Sequence, residues 1–167
     1  PASALDNTMG YIEYNENYKP RERSLTFDSK ALQTGSNLNL KRLYVLTTSM
    51  TASSSEIIIN CLRPYMEVIV VGDKTEGKNV GSLAYSSKEL QLIMRPIVCK
   101  IYNANHESEY SDGFKADVSV KESSNLARLL PFGDTNELLL GTTLGLIGGD
   151  NMEEAPETRS SSRFQLV

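Results

Sequence analysis

Apolar residues cluster most densely between positions 43 and 71 of the chain, and their spacing changes twice within that stretch. Leu43–Thr48 (Leu-Tyr-Val-Leu-Thr-Thr) is a short apolar, β-branched and aromatic run, and Glu67–Val71 (Glu-Val-Ile-Val-Val) is another. Both have the character of strands covered on two faces, as in a parallel sheet. Between them Ile57, Ile58, Cys61, Leu62 and Tyr65 recur at helical spacing, and Pro64 closes the segment. The spacing predicts a strand–helix–strand unit with a helix from Ser53 to about Arg63.

The pattern is weaker elsewhere. Residues 1–37 are polar and weakly periodic, with Tyr11, Tyr14 and Tyr18 among Asn, Glu and Lys, and read as an arm or loop that packs on its own domain. Leu25–Phe27 suggests a short edge strand. Leu83–Tyr85, the alternating Leu90, Leu92 and Met94, and Ile97–Tyr102 beyond Pro96 predict an antiparallel pair or meander. Val118–Val120 fits one more strand, and Ser124–Leu130 a brief helix. Asp134 with Glu137 three residues on predicts the N-cap of a helix over 135–147, stopped by Gly148-Gly149. The acidic, Ser/Arg-rich residues 150–167 read as a tail. The organisation expected is a polar arm over 1–37, a folded core over 38–149 and a tail over 150–167.

Composition narrows the function classes. The chain has 167 residues, 40% apolar and 23% charged, the proportions of an ordinary globular domain. Seventeen basic residues against 21 acidic ones leave a formal charge of −4 with no basic stripe, which argues against nucleic acid as a partner. No run approaches the ~18 apolar residues of a membrane span. Pro1-Ala2-Ser3 shows neither Met nor a signal peptide, so the chain reads as a processed or partial form whose own sequence does not report localisation. Cys61 and Cys99 lie in apolar runs and read as small buried hydrophobes.

Chain geometry brings two residues together. A helix from Ser53 carries the chain roughly 15 Å away, and the following strand returns it by roughly 17 Å. The loop Thr75–Lys78 therefore lies beside Ser53, past the carboxyl ends of the strands, where open α/β sheets place their sites. Ser53-Ser54-Ser55-Glu56 fits a capping box, with Ser53 capping and Glu56 bonding back. The same geometry suits catalysis: Ser53 as nucleophile, the Ser54 amide at the helix start as an oxyanion donor, and Lys78 as base. A lysine base needs burial to lower its pKa, which neighbours such as Ile69 and Val71 favour. Glu56 then orients the lysine or its loop and transfers no proton.

Two other patterns compete. Gly72-Asp-Lys-Thr-Glu-Gly77-Lys78 matches G-x-x-x-x-G-K, a phosphate-cradling loop. Against it, Asn79 replaces the metal-binding hydroxyl, no helix follows, and no strand ends in an Asp for the metal. His106 with Glu107, Glu109 and Asp112 is a candidate metal cluster, but one histidine among loop carboxylates is more often a polar loop.

Thr51-Ala-Ser-Ser-Ser-Glu56 followed by Gly72-Asp-Lys-Thr-Glu-Gly-Lys78 resembles the paired motifs of the C-terminal processing (tail-specific) serine peptidases, S/T-A-S-A-S-E and G-x-x-T-x-G-K. The resemblance implies Ser53 as nucleophile, Lys78 as general base and Glu56 as a supporting acid, with no cofactor or metal. Tyr102-Asn-Ala-Asn, Tyr110-Ser-Asp-Gly113 and Pro131-Phe-Gly-Asp-Thr-Asn-Glu137 look like the tail of Bacteroides-type lipoprotein members, which act in the periplasm or from the outer membrane. The likeness covers about 37–147. Ser54 stands where Ala is usual, which matters little if only its N–H is used, and Ala116 stands where Pro is usual. The family's upstream D-x-R-x-N-x-G-G segment, source of a second oxyanion donor, and its PDZ-like domain are not in this sequence. The expectation is therefore an α/β fold of the ClpP/crotonase-like type, with this chain as the C-terminal part of the catalytic domain. Its implied function is that of a serine endopeptidase acting on extended or unfolded polypeptides, partnered by the upstream half of the same domain. The rival reading is a non-catalytic peptide-binding or structural fragment.

Overall fold

The computed structural model describes residues 2–30 and 38–149. They fall into two compact units, one within residues 1–119 and one within 120–167. The first unit is mixed α/β. Strand β3 (Arg42–Thr47), helix α1 (Ser54–Leu62) and strand β4 (Glu67–Gly72) form the expected strand–helix–strand unit. β3 and β4 pair in parallel from Arg42↔Glu67 to Thr47↔Gly72, and the short β9 (Val118–Ser119) adds in parallel to β4. The apolar face of α1 meets this sheet in a core of Ile59, Val68, Val70, Tyr110 and Phe114, with Val45, Leu62 and Met66 packed against it. The Arg63 guanidinium lies 4.6 Å over the Phe114 ring and covers the core's edge.

The N-terminal region departs from the arm-or-loop expectation. Thr8–Tyr14 (β1) and Arg23–Thr26 (β2) are strands. β1 sits inside a four-stranded sheet of order β2-β1-β8-β5, where β5 is Val80–Ser82 and β8 is Ile97–Asn103. The pairing of β1 with β8 runs antiparallel from Gly10↔Asn103 to Tyr14↔Cys99. Polar neighbours hide such a strand because its partner lies almost ninety positions away. The N-terminal segment is also tied to α1: Tyr65 donates its hydroxyl hydrogen bond to the Thr8 carbonyl and meets Phe27 edge-on. Cys61 packs where a side chain at Gly10 would project. Both cysteines are free, and burial pushes the Cys61 thiol up to about 11.

The expected meander is divided. Tyr85–Ser87 (β6) and Leu92–Met94 (β7) form a separate two-stranded hairpin, and β8 belongs to the four-stranded sheet. Pro96, which has no N–H for a ladder, lies between the two.

In the second unit, short 3₁₀ turns at Glu122–Ser124 and Leu126–Arg128 replace the brief helix, and α2 runs over Leu138–Gly148. Its cap is Glu137, three residues later than Asp134. Asp134 spends its carboxylate on an Asn136 turn at 2.9 Å, and Arg128 takes the Asn136 carbonyl at 3.0 Å, so no helical bond forms there. Gly149 ends α2 in the left-handed conformation, as the sequence implies. The tail over 150–167 lies outside the described residues. No helix among those described is long and apolar enough to cross a membrane.

Candidate active site

The ends of β3 and β4 are joined by two bonds, from Asp73 N–H to the Thr47 carbonyl at 3.0 Å and from the Thr47 hydroxyl to the Asp73 carbonyl at 2.7 Å. Beyond β3 the chain turns tightly, Thr51 N–H bonding the Thr48 carbonyl, and reaches Ser53 just before α1. Ser53 has φ 57° and ψ −114°, a conformation that costs a residue with a side chain of order 1–3 kcal/mol and is concentrated at functional sites. A serine on a strained strand-to-helix turn is also the geometry of a nucleophile elbow. The Ser53 hydroxyl faces the Glu56 amide in the arrangement of a capping box without closing a cap hydrogen bond of full geometry. Ser54 is the first helical residue, and its amide belongs to those that a helix start leaves without an intrahelical acceptor.

Glu56 is the hub. Its side chain is fully buried, at 0% exposure, and accepts four hydrogen bonds. Oε2 accepts the Ser53 and Lys78 amides, each at 2.8 Å; Oε1 accepts the Gly77 amide and the Thr75 hydroxyl, each at 2.6 Å. All four partners are donors, the set that a carboxylate in its acceptor-only form takes. The loop is further fixed by the Glu76 amide on the Thr51 carbonyl at 2.9 Å. The chain excursion worked out from the sequence is therefore the one observed: the 75–78 loop returns to the start of α1.

Thr75, which the sequence reading did not single out, joins this hub to a third segment. It is buried; while donating to Glu56 it accepts the Phe114 amide at 2.7 Å, and its own amide bonds the Phe114 carbonyl at 3.1 Å. Gly77 and Gly113 allow the close approach. Their φ values are +100° and +84°, and a Cβ on either would run into the facing backbone, at Ser111 or at Thr75. The available signal was the fixed spacing of Thr75 before Gly77-Lys78.

Lys78 differs from expectation in one respect. Its backbone is pinned, but its side chain is exposed, without the apolar cover expected from Ile69 and Val71. Those residues belong to β4, whereas the lysine side chain leaves from the loop beyond it.

The competing patterns do not assemble. In the G-x-x-x-x-G-K stretch the Gly77 and Lys78 amides, which would cradle a phosphate, are bound to Glu56, and Asn79 is buried with its side-chain amide on the Ser108 carbonyl at 2.7 Å. His106 stacks on Tyr11 with ring centres 4.0 Å apart and lies 3.5 Å from Glu13, while Glu107 accepts the Asn103 side-chain amide at 2.8 Å. Among the described residues no group of three His, Cys, Asp or Glu side chains is placed to hold a metal ion.

Comparison with known proteins adds a family. The family model for Peptidase family S41 matches residues 2–120. A crystal structure from Bacteroides fragilis, assigned as an S41 protease, matches with a TM-score of 0.84 and 38% identity, over 89% of this chain and 38% of its own. A lipoprotein structure from Streptococcus agalactiae matches with a TM-score of 0.49 and 15% identity, over 69% of this chain and 41% of that one. A photosystem II D1 C-terminal processing protease gives 0.44 and 18%, over 72% and 29%. This chain thus spans well under half the length of these relatives. No curated protein matches it. On the match to residues 2–120, which takes in the whole Ser53–Lys78 stretch, the chain belongs to peptidase family S41.

Proposed function

We propose that this chain carries the Ser–Lys dyad of a serine endopeptidase that hydrolyses extended or unfolded polypeptides. The observation that carries this reading is the shared carboxylate oxygen: Glu56 Oε2 holds the backbone of Ser53 and of Lys78 at 2.8 Å each. Ser53 Oγ attacks the scissile carbonyl while Lys78 Nζ accepts its proton. The tetrahedral oxyanion is held by the Ser54 amide at the positive end of α1. Lys78 returns the proton to the leaving amine, and water, activated by the same amine, hydrolyses the ester on Ser53. Glu56 takes no part in proton transfer, because both oxygens are occupied by donors that shape the site.

The chemistry requires Lys78 to be desolvated and a second oxyanion donor to be present. We assign both to the upstream half of the same catalytic domain, the partner implied by a chain that spans 38% of its Bacteroides fragilis relative. The resemblance to lipoprotein-type members supports an extracytoplasmic location. Substrate is expected to bind by strand addition along a sheet edge. The exposure of Lys78 favours, as a second reading, a fragment that holds peptides without cleaving them.

The test is degradation of an unfolded protein by the longest native form of the polypeptide, beside Ser53→Ala and Lys78→Ala. Loss of cleavage in both variants with folding intact is the expected result. Equal rates in wild type and Ser53→Ala remove Ser53 from the chemistry and leave it a helix-start residue. Absence of cleavage in every form, with peptide binding retained, favours the second reading.

A further inference from the structure

Asn60 in α1, Asn79 directly after Lys78 and Asn103 at the end of β8 are all buried, and one loop joins them. Asn103 folds that loop. Its Oδ1 accepts the Asn105 and Glu107 amides, each at 2.9 Å, and its own amide takes the Glu107 carbonyl at 3.0 Å. The loop so formed offers consecutive carbonyls to two different elements. Asn60 Nδ2 donates to the Glu107 carbonyl at 2.9 Å, and Asn79 Nδ2 donates to the Ser108 carbonyl at 2.7 Å. Ser108 is itself buried, and its hydroxyl donates to the Ile101 carbonyl at 2.6 Å, which ties the loop back to β8. Amides are costly to bury unless their donors are met, and a satisfied buried network holds its members in one arrangement.

What the network holds is the pair of elements that carry Ser53 and Lys78. The Asn79 amide bonds the Gly77 carbonyl at 3.2 Å, so Lys78 stands at the centre of a γ-turn. Glu56 takes the Gly77 and Lys78 amides on the near side of that turn. On the far side Asn79 is fixed twice, by its side chain on Ser108 and by its carbonyl, which accepts the Ile101 amide at 3.0 Å. Helix α1 is likewise fixed at two places, at Glu56 and, about one turn further on, at Asn60. A single carboxylate sets the separation of helix and turn but acts as a pivot. A second attachment on each element sets their relative direction as well.

We infer that Asn60 and Asn79 are positioning residues: through the consecutive carbonyls of Glu107 and Ser108 they lock the nucleophile helix and the base turn in the one relative orientation from which Lys78 serves Ser53. The inference rests on the dyad reading and extends it from the two reacting side chains to the frame behind them. Lysine is long, so a small rotation of its backbone moves Nζ far, and a misplacement of about 1 Å costs a reaction on the order of a hundredfold. Glu56 alone does not prevent that rotation; the two asparagine tethers do.

The test uses the longest native form with Asn60→Ala, Asn79→Ala, both together, and Ser53→Ala, each shown to be folded by circular dichroism. Turnover of an unfolded protein is read as kcat and KM separately. Each asparagine variant should lower kcat by about tenfold to a hundredfold at unchanged KM. The double variant should lose no more than the worse single one, because the tethers act in series and breaking either frees the orientation. Amide exchange at Gly77 and Lys78 should quicken about tenfold in Asn60→Ala, although the Asn60 side chain bonds to Glu107 and not to that turn. Unchanged kcat with a lowered melting temperature, or kcat losses that multiply in the double variant, overturns the inference and leaves the asparagines as loop anchors. Where Asn79→Ala does not fold, Asn79→Ser takes its place beside Asn60→Ala; failure of all of them to fold also overturns it, because the tethers would then hold the fold as a whole. Cleavage persisting in Ser53→Ala would overturn the dyad instead, and the exchange comparison would still decide the tethers.

Discussion

Two glutamates stand at the starts of α1 and α2 and are used in opposite ways. Glu137 turns its carboxylate onto its own helix, accepting the Leu139 and Leu140 amides at 3.0 and 2.8 Å. That satisfies donors that the first turn would otherwise leave open, and the role ends there. Glu56, in the first turn of α1, sends its carboxylate to a loop about twenty residues downstream and takes only the Ser53 amide from its own end. The difference teaches what separates a cap from a site. A carboxylate spent on remote backbone leaves the helix start available, and it fixes two distant segments against each other.

That contrast can be broken by measurement. The largest effect should come from Glu56→Ala, which strands four donors that converge on a buried carboxylate; denaturant unfolding is expected to show a loss of about 3–5 kcal/mol. Thr75→Val comes next. It removes the hydroxyl that donates to Glu56 and accepts from Phe114, and should cost about 2–3 kcal/mol, with Thr75→Ser restoring most of it. Glu137→Ala, a simple cap loss, should cost about 1 kcal/mol. A result in which Glu56→Ala and Glu137→Ala cost the same would erase the distinction.

Ser53 sharpens it further. If its strain serves chemistry, Ser53→Gly relieves the positive φ and should stabilise the chain by about 1 kcal/mol in the same unfolding assay. A working cap would instead lose only a few tenths in that substitution and about 1 kcal/mol as Ala.

A separate effect concerns pH. Burial raises the Cys61 thiol from its ordinary 9.0 to about 11. A group whose folded pKa is raised contributes stability that is complete below the unfolded value and is lost as pH rises through the folded one. Unfolding free energy should therefore decline between about pH 9 and 11, and Cys61→Ala should flatten that decline. Tyr110 is shifted in the same direction, by burial first and by nearby Cys61 and Glu56 second, so part of the decline survives the substitution.

What the sequence revealed follows contact range. The strand–helix–strand unit was legible because Leu43–Thr48, the helical run from Ile57 and Glu67–Val71 each carry a strong periodic signal over short spans. Glu56 was legible as a supporting group because S-x-x-E fixes its helical position, though the motif alone suggests an ordinary capping box. Thr75's second partner, Phe114, lies 39 residues away, and no local pattern announces that bond. β1 was obscured for the same reason, its partner β8 being far along the chain. Asp134 misled because a sequence that fits a cap also fits an Asx turn, and the local turn won.

The most direct test of the central claim is to locate the acyl group. A slowly deacylating ester would be incubated with the longest native form, the reaction quenched in acid, and the digest read by mass spectrometry. The account predicts an adduct on Ser53, absent when Lys78 is replaced by Ala. An adduct on Ser54 or Ser55, or turnover with no adduct in this stretch and undiminished by Ser53→Ala, would contradict it.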